Sequence, residues 1–260
     1  MSFKICILAS GSSGNAIYIS NNNTKILIDA GINSKQLILR LEKIGVNPKE
    51  IDGICLSHEH SDHTNGVRIF HKKFNTPIFS NNGTFEGYQK MSKHNEVHFN
   101  IFETSTVFKI GDINIESFSI PHDAMDPVGF LISNNQKKIG IVTDIGMSTP
   151  LVIQKLKGCE IIVIEANYDD DLLNDAPRPW SLKQRIRSRQ GHLSNTEAAQ
   201  MISDCNTDSL KRVILAHLSS DCNTPSTALK TISSHLRLDG LDNIKLEVSS
   251  AVKPTDMWET

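Results

Sequence analysis

The sequence predicts an α/β or α+β fold in a single domain that spans residues 1–260. Short apolar runs, each long enough for one buried strand, alternate with segments whose apolar residues recur at helical spacing. Clusters of glycine, serine and asparagine separate these segments, and none has the length or composition of an interdomain linker. A chain of 260 residues, of which 38% are hydrophobic, is also long enough to bury one large core.

The first half of the chain is predicted to be rich in strands. A Ser/Gly loop at residues 10–14 joins the first two strands. A helix is expected to take Ser34 as its N-cap, to carry Leu37, Leu41 and Ile44 at helical spacing, and to end at Gly45. The other elements are strands near 3–8, 15–20, 24–29, 51–56 and 76–80, helices at 65–74 and 84–91, and mainly strands from 97 to 143.

In the second half, helices and strands alternate. Ser194 and Glu197 are spaced as the two ends of a capping box, which predicts that a helix begins there. The polar residues after Pro254 are expected to fray. The predicted elements are a helix at 149–156, a strand at 160–165, helices near 179–188 and 195–204, a strand at 212–216, a helix at 225–237 and a strand near 243–249.

Composition excludes several classes of protein. No apolar stretch approaches the ~18 residues of a membrane span, and the apolar run at residues 3–9 is too short for a signal peptide. Five cysteines form no CxxC pair, which favours free thiols in a reducing compartment. We therefore expect a soluble cytoplasmic protein. The formal net charge of −2 gives no global attraction to nucleic acid, so any such binding must be local.

The most informative segment is an HxHxDH motif made of His58, His60, Asp62 and His63. Three imidazoles and a carboxylate within six residues are typical of a site for divalent metal ions. His58 and His60 can point to one side of an extended loop, while Asp62 and His63 turn toward a second ion. Neutral nitrogen ligands together with a hard oxygen ligand suit zinc and also accept manganese or iron.

Further candidate ligands follow other predicted strands. His122 comes after residues 113–120, Asp144 after 138–142 and His217 after 213–216, and Glu165 follows 161–164. In sheets whose strands alternate with helices, ligands collect where the strands end. The shared placement predicts that these side chains meet the HxHxDH motif in space.

Eight short motifs lie along nearly the whole chain: Gly11-Ser12-Ser13-Gly14-Asn15, Ile28-Asp29-Ala30-Gly31, the cluster of residues 57–63, Pro121-His122-Asp123-Ala124, Thr143-Asp144-Ile145-Gly146, Glu165-Ala166-Asn167, Gly191-His192-Leu193-Ser194-Asn195 and Leu215-Ala216-His217-Leu218-Ser219. Together they resemble the metallo-β-lactamase superfamily, and within it the small single-domain YycJ/VicX group of exonucleases. The resemblance implies an αββα sandwich, in which two packed sheets are covered by helices on the outside.

The same resemblance implies two divalent metal ions, zinc or manganese. It assigns His58, His60 and His122 to the first ion, Asp62, His63 and His217 to the second, and Asp144 to both. Two ions about 3.5–4 Å apart lower the pKa of a shared water, so a metal-bridging hydroxide is the expected nucleophile.

The expected catalytic residues are Asp62, His192 and Glu165. His192 is the candidate general acid for the departing alkoxide, and Glu165 is positioned in the sequence to orient and charge it. A purely structural reading remains open for both: His192 can simply join the helix that starts after Ser194, and Glu165 can be an ordinary carboxylate behind the site.

The prediction of a nucleic acid substrate depends on a basic segment at residues 178–190, which lies close in sequence to His192. Its arginines can contact phosphates, or they can simply balance the acidic residues at 169–175. The Ser/Gly loop can approach a phosphate through its N–H groups or be only a turn. The candidate substrate-binding residues are Arg185, Arg187, Arg189, Ser13 and Asn223.

The leading functional prediction is a metal-dependent phosphodiesterase, specifically an exonuclease that acts on DNA or RNA. A hydrolase of thioesters, lactones or other small metabolites is the alternative, since it uses the same metal ligands without His192 or the basic segment. A non-catalytic module is less favoured because all seven ligand positions are filled. The sequence does not predict the oligomeric state, and it predicts no membrane partner.

Overall fold

The protein is described by a computed structural model that covers residues 2–91, 97–134 and 136–260. Within these ranges the strands form two seven-stranded sheets. The strands are β1 (Lys4–Ala9), β2 (Ala16–Ser20), β3 (Lys25–Ile28), β4 (Gly53–Cys55), β5 (Ile78–Ser80), β6 (Phe99–Ile101), β7 (Val107–Ile110), β8 (Ile113–Ser119), β9 (Val128–Ser133), β10 (Lys138–Val142), β11 (Ile161–Glu165), β12 (Arg212–Ala216), β13 (Lys245–Val248) and β14 (Trp258–Glu259). The α-helices are α1 (Ser34–Lys43), α2 (Ser61–Thr64), α3 (Val67–Phe74), α4 (Asn82–Met91), α5 (Pro150–Leu156), α6 (Asp170–Asp175), α7 (Trp180–Ile186), α8 (Asn195–Cys205) and α9 (Pro225–Leu238).

Each sheet has an antiparallel half and a parallel half. The first sheet has the order β14-β1-β2-β3-β4-β5-β6; its strands are antiparallel as far as β3 and parallel from β3 to β6. The second has the order β13-β12-β11-β10-β9-β8-β7, antiparallel from β7 to β10 and parallel from β10 to β13. Strands β3 and β4 of the first sheet are parallel, as are β10, β11 and β12 of the second. The residues that follow the carboxyl ends of these strands can therefore meet at one edge of the two sheets.

The sheets are buried on both faces, which explains why the strands are continuous apolar runs. In β11, Ile161 and Val163 join a core between the two sheets, whereas Ile162 and Ile164 pack with helices α5, α8 and α9 on the outside. Strand β1 divides in the same way between the inner core and a layer that contains α1 and α3. The resulting order of layers is helix, sheet, sheet, helix, so the predicted αββα sandwich is confirmed.

Helix α1 begins one residue earlier than predicted. Asn33, not Ser34, is the N-cap, because its side chain accepts the N–H of Gln36 at 3.0 Å. Ser34 is the first helical residue and is buried. The predicted capping box of α8 is confirmed: the Ser194 hydroxyl accepts the N–H of Glu197, and the Glu197 carboxylate accepts the N–H of Ser194.

The helix predicted at 65–74 is α3, which begins at Val67, and a further short helix, α2, precedes it on the other side of Gly66. The Gly66 N–H donates to the carbonyl of Ala30 at 2.7 Å, and a Cβ at position 66 would lie 2.3 Å from the Ile32 carbonyl oxygen. Only glycine lets the chain pass this close to the loop after β3. The contact fixes α2, which carries Asp62 and His63, against that loop.

The prediction of a frayed C-terminus was wrong. Residues Trp258 and Glu259 form β14 and pair antiparallel with β1 in the register Lys4↔Glu259. The Trp258 indole also donates to the Glu247 carboxylate at 2.5 Å. Two-residue strands leave little trace in a sequence, and this one is held by long-range contacts.

No described helix is long and apolar enough to span a membrane. The longest described helix, α9, has 14 residues, whereas a span needs about 20. That all of residues 1–260 form one domain stays a prediction.

Candidate metal centre

The predicted ligands meet at the carboxyl ends of strands from both sheets. The HxHxDH segment follows β4, His122 follows β8, Asp144 follows β10 and His217 follows β12. Their potential ligand atoms form two groups, in each of which all atoms lie within 4.8 Å of one another, and a third group of this kind joins Asp144 and His217 to Glu165 and His192. We call His58, His60 and His122 the imidazole cluster, and Asp62, His63, Asp144 and His217 the mixed cluster.

The imidazole cluster brings three ring nitrogens together. His58 Nε2 lies 3.0 Å from His60 Nδ1, and the His122 ring centroid is 5.1 Å and 5.2 Å from those of His58 and His60. Burial lowers the pKa of His58 well below its ordinary value and also lowers the pKa of His122. Both rings are thus kept in the unprotonated form that binds a metal ion.

The mixed cluster is organised around Asp144, which is 2% exposed. Its Oδ2 lies 3.1 Å from His63 Nε2, and its Oδ1 lies 3.3 Å from His217 Nε2. Asp62 Oδ2 is 3.5 Å from His63 Nε2 and 3.4 Å from His217 Nε2. Asp144 Oδ1 is also 3.9 Å from Nε2 of His122, so this carboxylate lies between the two clusters.

These distances fit bound cations. Ligands about 2.0–2.1 Å from a tetrahedral ion are separated from each other by roughly 3.3 Å, which is the spacing seen between the ligand atoms of the mixed cluster. Asp144 Oδ2 is buried and faces His63 Nε2, itself a predicted ligand, at 3.1 Å, as expected for two ligand atoms around one cation. Nitrogen and carboxylate donors suit zinc or manganese.

In the mixed cluster, each charged group shifts the pKa of its neighbours. Burial disfavours charge on Asp144, but the imidazoles of His217 and His63 hold its pKa well below the usual range. Burial likewise opposes charge on His217, yet Asp144, Asp62 and Glu165 raise its pKa to about 10. Three carboxylates in a buried space attract either protons or metal ions.

The backbone is strained at two of these ligands. Asp144 and His217 both have φ near +54°, a left-handed conformation that is rare outside glycine and clusters at functional sites. His217 directly follows β12 and Asp144 is the second residue after β10, and in both places the turn aims the side chain across the edge of the sheet. The His217 N–H donates to the Ser10 hydroxyl at 2.7 Å, and the Asn167 amide donates to the His217 carbonyl at 2.8 Å, which fixes the turn.

Sequence reasoning missed the residues that orient His63. The Asp29 carboxylate accepts from His63 Nδ1 at 2.7 Å and from the N–H of Ser57 at 2.8 Å, so His63 Nε2 is left to face Asp62 and Asp144. Asn15 Nδ2 lies 3.1 Å from that Nε2. Asp29 also follows a strand and has φ of +61°, and its strand-end position was the signal that could have identified it.

His192 and Glu165 form a hydrogen-bonded pair beside the mixed cluster. His192 Nδ1 lies 2.7 Å from Glu165 Oε1, and the same oxygen is 3.0 Å from His217 Nδ1. Glu165 is fully buried, and its other oxygen accepts the N–H of Ile145 at 2.8 Å. Burial opposes charge on His192, but the negative charge of Glu165 raises the pKa of the imidazole above its ordinary value. Glu165 therefore orients two histidines, not only the one expected.

The basic segment lies next to His192, but most of its charge is paired within the protein. The Arg185 guanidinium donates to Asp123 at 2.7 Å, that of Arg178 to Asp221 at 2.7 Å and that of Arg187 to Asn174 at 2.8 Å. A small cavity of about 150 Å³ is lined by Arg178, Arg185 and His192 among others. Arg189 is exposed.

Ser13 and Asn223 lie in different settings. Ser13 is exposed in the loop whose Asn15 contacts the mixed cluster. Asn223 is buried: its amide donates to the Ala166 carbonyl at 2.9 Å and exchanges hydrogen bonds with the Asn195 side chain. These bonds give Asn223 a structural role behind the site, and its contact with substrate stays a prediction.

Removing metal should lower the stability of the folded protein. Binding at 100 times the dissociation constant stabilises the folded state by about 2.7 kcal/mol, which corresponds to roughly 5–10 °C in melting temperature for a domain of this size. We expect this drop when a chelator strips the purified protein, and recovery when Zn²⁺ or Mn²⁺ is returned. A melting temperature that changes neither with the chelator nor with added Zn²⁺ or Mn²⁺ would contradict the presence of a metal centre.

The comparisons with known proteins agree with this geometry. The β-lactamase superfamily domain matches residues 24–218. Exodeoxyribonuclease YycJ of Bacillus anthracis is 34% identical over 242 residues, which cover 92% of this chain and 91% of that protein. Exodeoxyribonuclease WalJ of Streptococcus pneumoniae serotype 2 is 34% identical over 237 residues, covering 90% and 88%.

Among solved structures, the metallo-β-lactamase fold protein YhfI of Bacillus subtilis superposes with a TM-score of 0.76 at 15% identity, over 98% of this chain and 99% of that one. This similarity supports the fold, and the sequence matches support the family. The predicted resemblance is confirmed: the chain belongs to the metallo-β-lactamase superfamily and is a metal-dependent hydrolase.

Proposed function

We propose that this protein is an exodeoxyribonuclease, a phosphodiesterase that shortens DNA from an end. The observation that supports this best is the hydrogen-bonded pair of His192 and Glu165, 2.7 Å apart, at the edge of the mixed cluster. A phosphodiester has a poor alkoxide leaving group, and an oriented imidazole supplies the proton that this group needs. The relatives from Bacillus anthracis and Streptococcus pneumoniae described above, which match over about nine-tenths of their length, are named exodeoxyribonucleases.

The ligands that we assign follow from the two clusters. His58, His60 and His122 would hold one divalent ion, and Asp62, His63, Asp144 and His217 the other, and Asp144 also lies 3.9 Å from His122 and so could contribute to both. Zinc and manganese both fit this donor set. When bound, such ions would supply Lewis-acid chemistry to a phosphate oxygen and an attacking water. Asp62 is also a candidate to orient that water, since it is the least buried carboxylate of the mixed cluster.

His192 acts on the leaving group. Glu165 accepts the hydrogen bond of Nδ1 and so fixes the plane of the ring, and Nε2 is the nitrogen left to carry a proton toward the substrate. The side chain of His192 is 22% exposed, whereas Glu165 is fully buried behind it. An exposed donor backed by a buried carboxylate can reach a substrate and still keep one orientation.

The arginines beside His192 are the proposed contacts to the DNA backbone. The side chain of Arg185 is 63% exposed at the cavity next to His192, and Arg189 is exposed one turn further on. A surface ion pair such as the one between Arg185 and Asp123 contributes little and can be exchanged for a phosphate. Arg187 and Asn223 are less exposed than Arg185 and Arg189 and donate hydrogen bonds to other residues of the protein. Ser13 is exposed in the loop whose Asn15 contacts the mixed cluster.

The proposal is tested by cleavage of end-labelled single- and double-stranded DNA and RNA with Mn²⁺ or Zn²⁺ added. We expect stepwise shortening of DNA from one end, which is absent when the Asp144→Asn protein replaces the wild type. Shortening of RNA but not DNA would overturn the choice of substrate. Cleavage of neither polymer by a fully metal-loaded protein would overturn the nuclease itself and favour a small-molecule hydrolase.

A further inference from the structure

Glu59 lies between two ligands of the imidazole cluster, but its side chain turns away from them into the protein. The residue is 6% exposed. Its Oε1 accepts the backbone N–H of Met125 at 2.9 Å, in the loop that begins with His122. One buried carboxylate thus joins the segment that supplies His58 and His60 to the segment that supplies His122.

We propose that Glu59 is a positioning residue that sets the metal affinity of the imidazole cluster. All three ligands of that cluster come from the two segments that Glu59 connects. A ligand atom that shifts by a few tenths of an ångström loses much of its bond to a metal ion, so contacts behind the ligands tune affinity. The mixed cluster has other supports, since Asp29 holds His63 and Asn167 holds the turn at His217.

Helix α4 is shaped to accept this side chain. Gly87 is buried against Glu59, and a Cβ at position 87 would lie 2.5 Å from Glu59 Cγ and 2.7 Å from Cδ. Any larger residue at 87 would therefore displace the carboxylate. The helical glycine costs helix stability, and the close approach of Glu59 gives a physical reason for its presence at that position.

The inference rests on the ligand assignment proposed above, and metal binding tests it without any measurement of nuclease activity. The protein is stripped of metal and titrated with Zn²⁺ against a competing chelator, which resolves two binding steps. The His122→Ala protein identifies which step belongs to the imidazole cluster. We expect Glu59→Ala to weaken that step by about 10–100-fold and to leave the other step unchanged.

Two further variants test whether Glu59 acts through the position of its side chain or through its charge, and whether the loss of affinity is only a general loss of stability. Glu59→Gln keeps the oxygen that accepts the Met125 N–H but removes the negative charge, so we expect near wild-type affinity. Glu59 Oε2 is buried without a hydrogen bond from the described residues, and a loss equal to that of Glu59→Ala would mean that its charge, not its position, acts on the metal. Glu86→Ala is the matched control, because it removes an exposed carboxylate on α4, the helix that carries Gly87. It should leave both binding steps unchanged.

Gly87→Ala tests the contact between α4 and the Glu59 side chain by changing the helix instead of Glu59. We expect it to weaken the imidazole step although Glu59 is still present, because the new methyl group displaces the carboxylate. In the Glu59→Ala background the same change should have a smaller further effect, because the Cγ and Cδ atoms of residue 59 are gone and only its Cβ, 2.9 Å from the new methyl group, remains. Equal effects of Gly87→Ala in both backgrounds would show that it acts through the helix alone and would overturn the proposal.

The outcomes also separate this inference from the ligand assignment. A wild-type protein that binds no metal ion would contradict the assignment itself. A wild type with two binding steps, together with a Glu59→Ala protein that matches it in both, would overturn the role of Glu59 and leave the assignment intact. A loss that falls equally on both steps would also overturn it, because general destabilisation moves both.

Discussion

The Asp144→Asn protein is expected to lose bound metal and hydrolytic activity together, with activity falling by at least roughly 10³-fold. Asp144 is a carboxylate whose oxygens lie within 4 Å of ligand nitrogens in both clusters: its Oδ2 is 3.1 Å from His63 Nε2, and its Oδ1 is 3.3 Å and 3.9 Å from Nε2 of His217 and His122. An amide in its place offers one neutral oxygen and a nitrogen that cannot bind a cation. Metal content measured after dialysis and the rate of DNA shortening should therefore fall in parallel.

Asparagine is the better replacement at this position. Asp144 has φ of +54°, and asparagine tolerates the left-handed conformation whereas alanine is strained by it. Asp242→Asn is the control, because Asp242 is exposed and precedes β13, at the opposite end of the parallel strands from the site. An Asp144→Asn protein that keeps two tightly bound ions would contradict the shared-ligand assignment.

The fold and the position of the site were predictable because both follow from short-range patterns. Strands buried on both faces are continuous apolar runs, as in β11, and such runs stand out in a sequence. Once the strands are located, the residue types at their carboxyl ends identify His122, Asp144 and His217. The elements that were missed or misjudged, α6 and β14, are short and depend on side-chain caps and long-range pairing.

The residues behind the ligands were not predictable in the same way. Glu59 is an ordinary acidic residue in the sequence, and Asp29 shows only that it follows a strand; the folded chain brings Asp29 to His63 and Glu59 to the Met125 N–H. The basic segment shows the converse problem. Its arginines are close to His192 in sequence and in space, but Asp123 and Asp221 come from elsewhere in the chain to pair with two of them. Proximity in sequence reveals the charges but not their partners.

The His192→Ala protein should retain its metal and lose roughly 10²–10⁴-fold in kcat on DNA. His192 is hydrogen-bonded to Glu165 and is not part of the imidazole cluster, so its removal leaves the proposed ligands in place. What it removes is the proton for the leaving 3′ or 5′ oxygen. His235→Ala, a histidine on α9 that contacts only Asp239 among the pairs described, serves as the matched control and should behave as the wild type.

A substrate with a better leaving group tests whether His192 is a general acid. A nucleotide ester of p-nitrophenol releases an anion that is stable at neutral pH and needs no proton, so the benefit of an acid disappears with such a substrate. We therefore expect the His192→Ala protein to approach the wild-type rate on the p-nitrophenyl ester although it is slow on DNA. If the variant is equally slow on both substrates, His192 acts before the leaving group departs, by holding Glu165 and through it His217, and the role of proton donor would pass to another group.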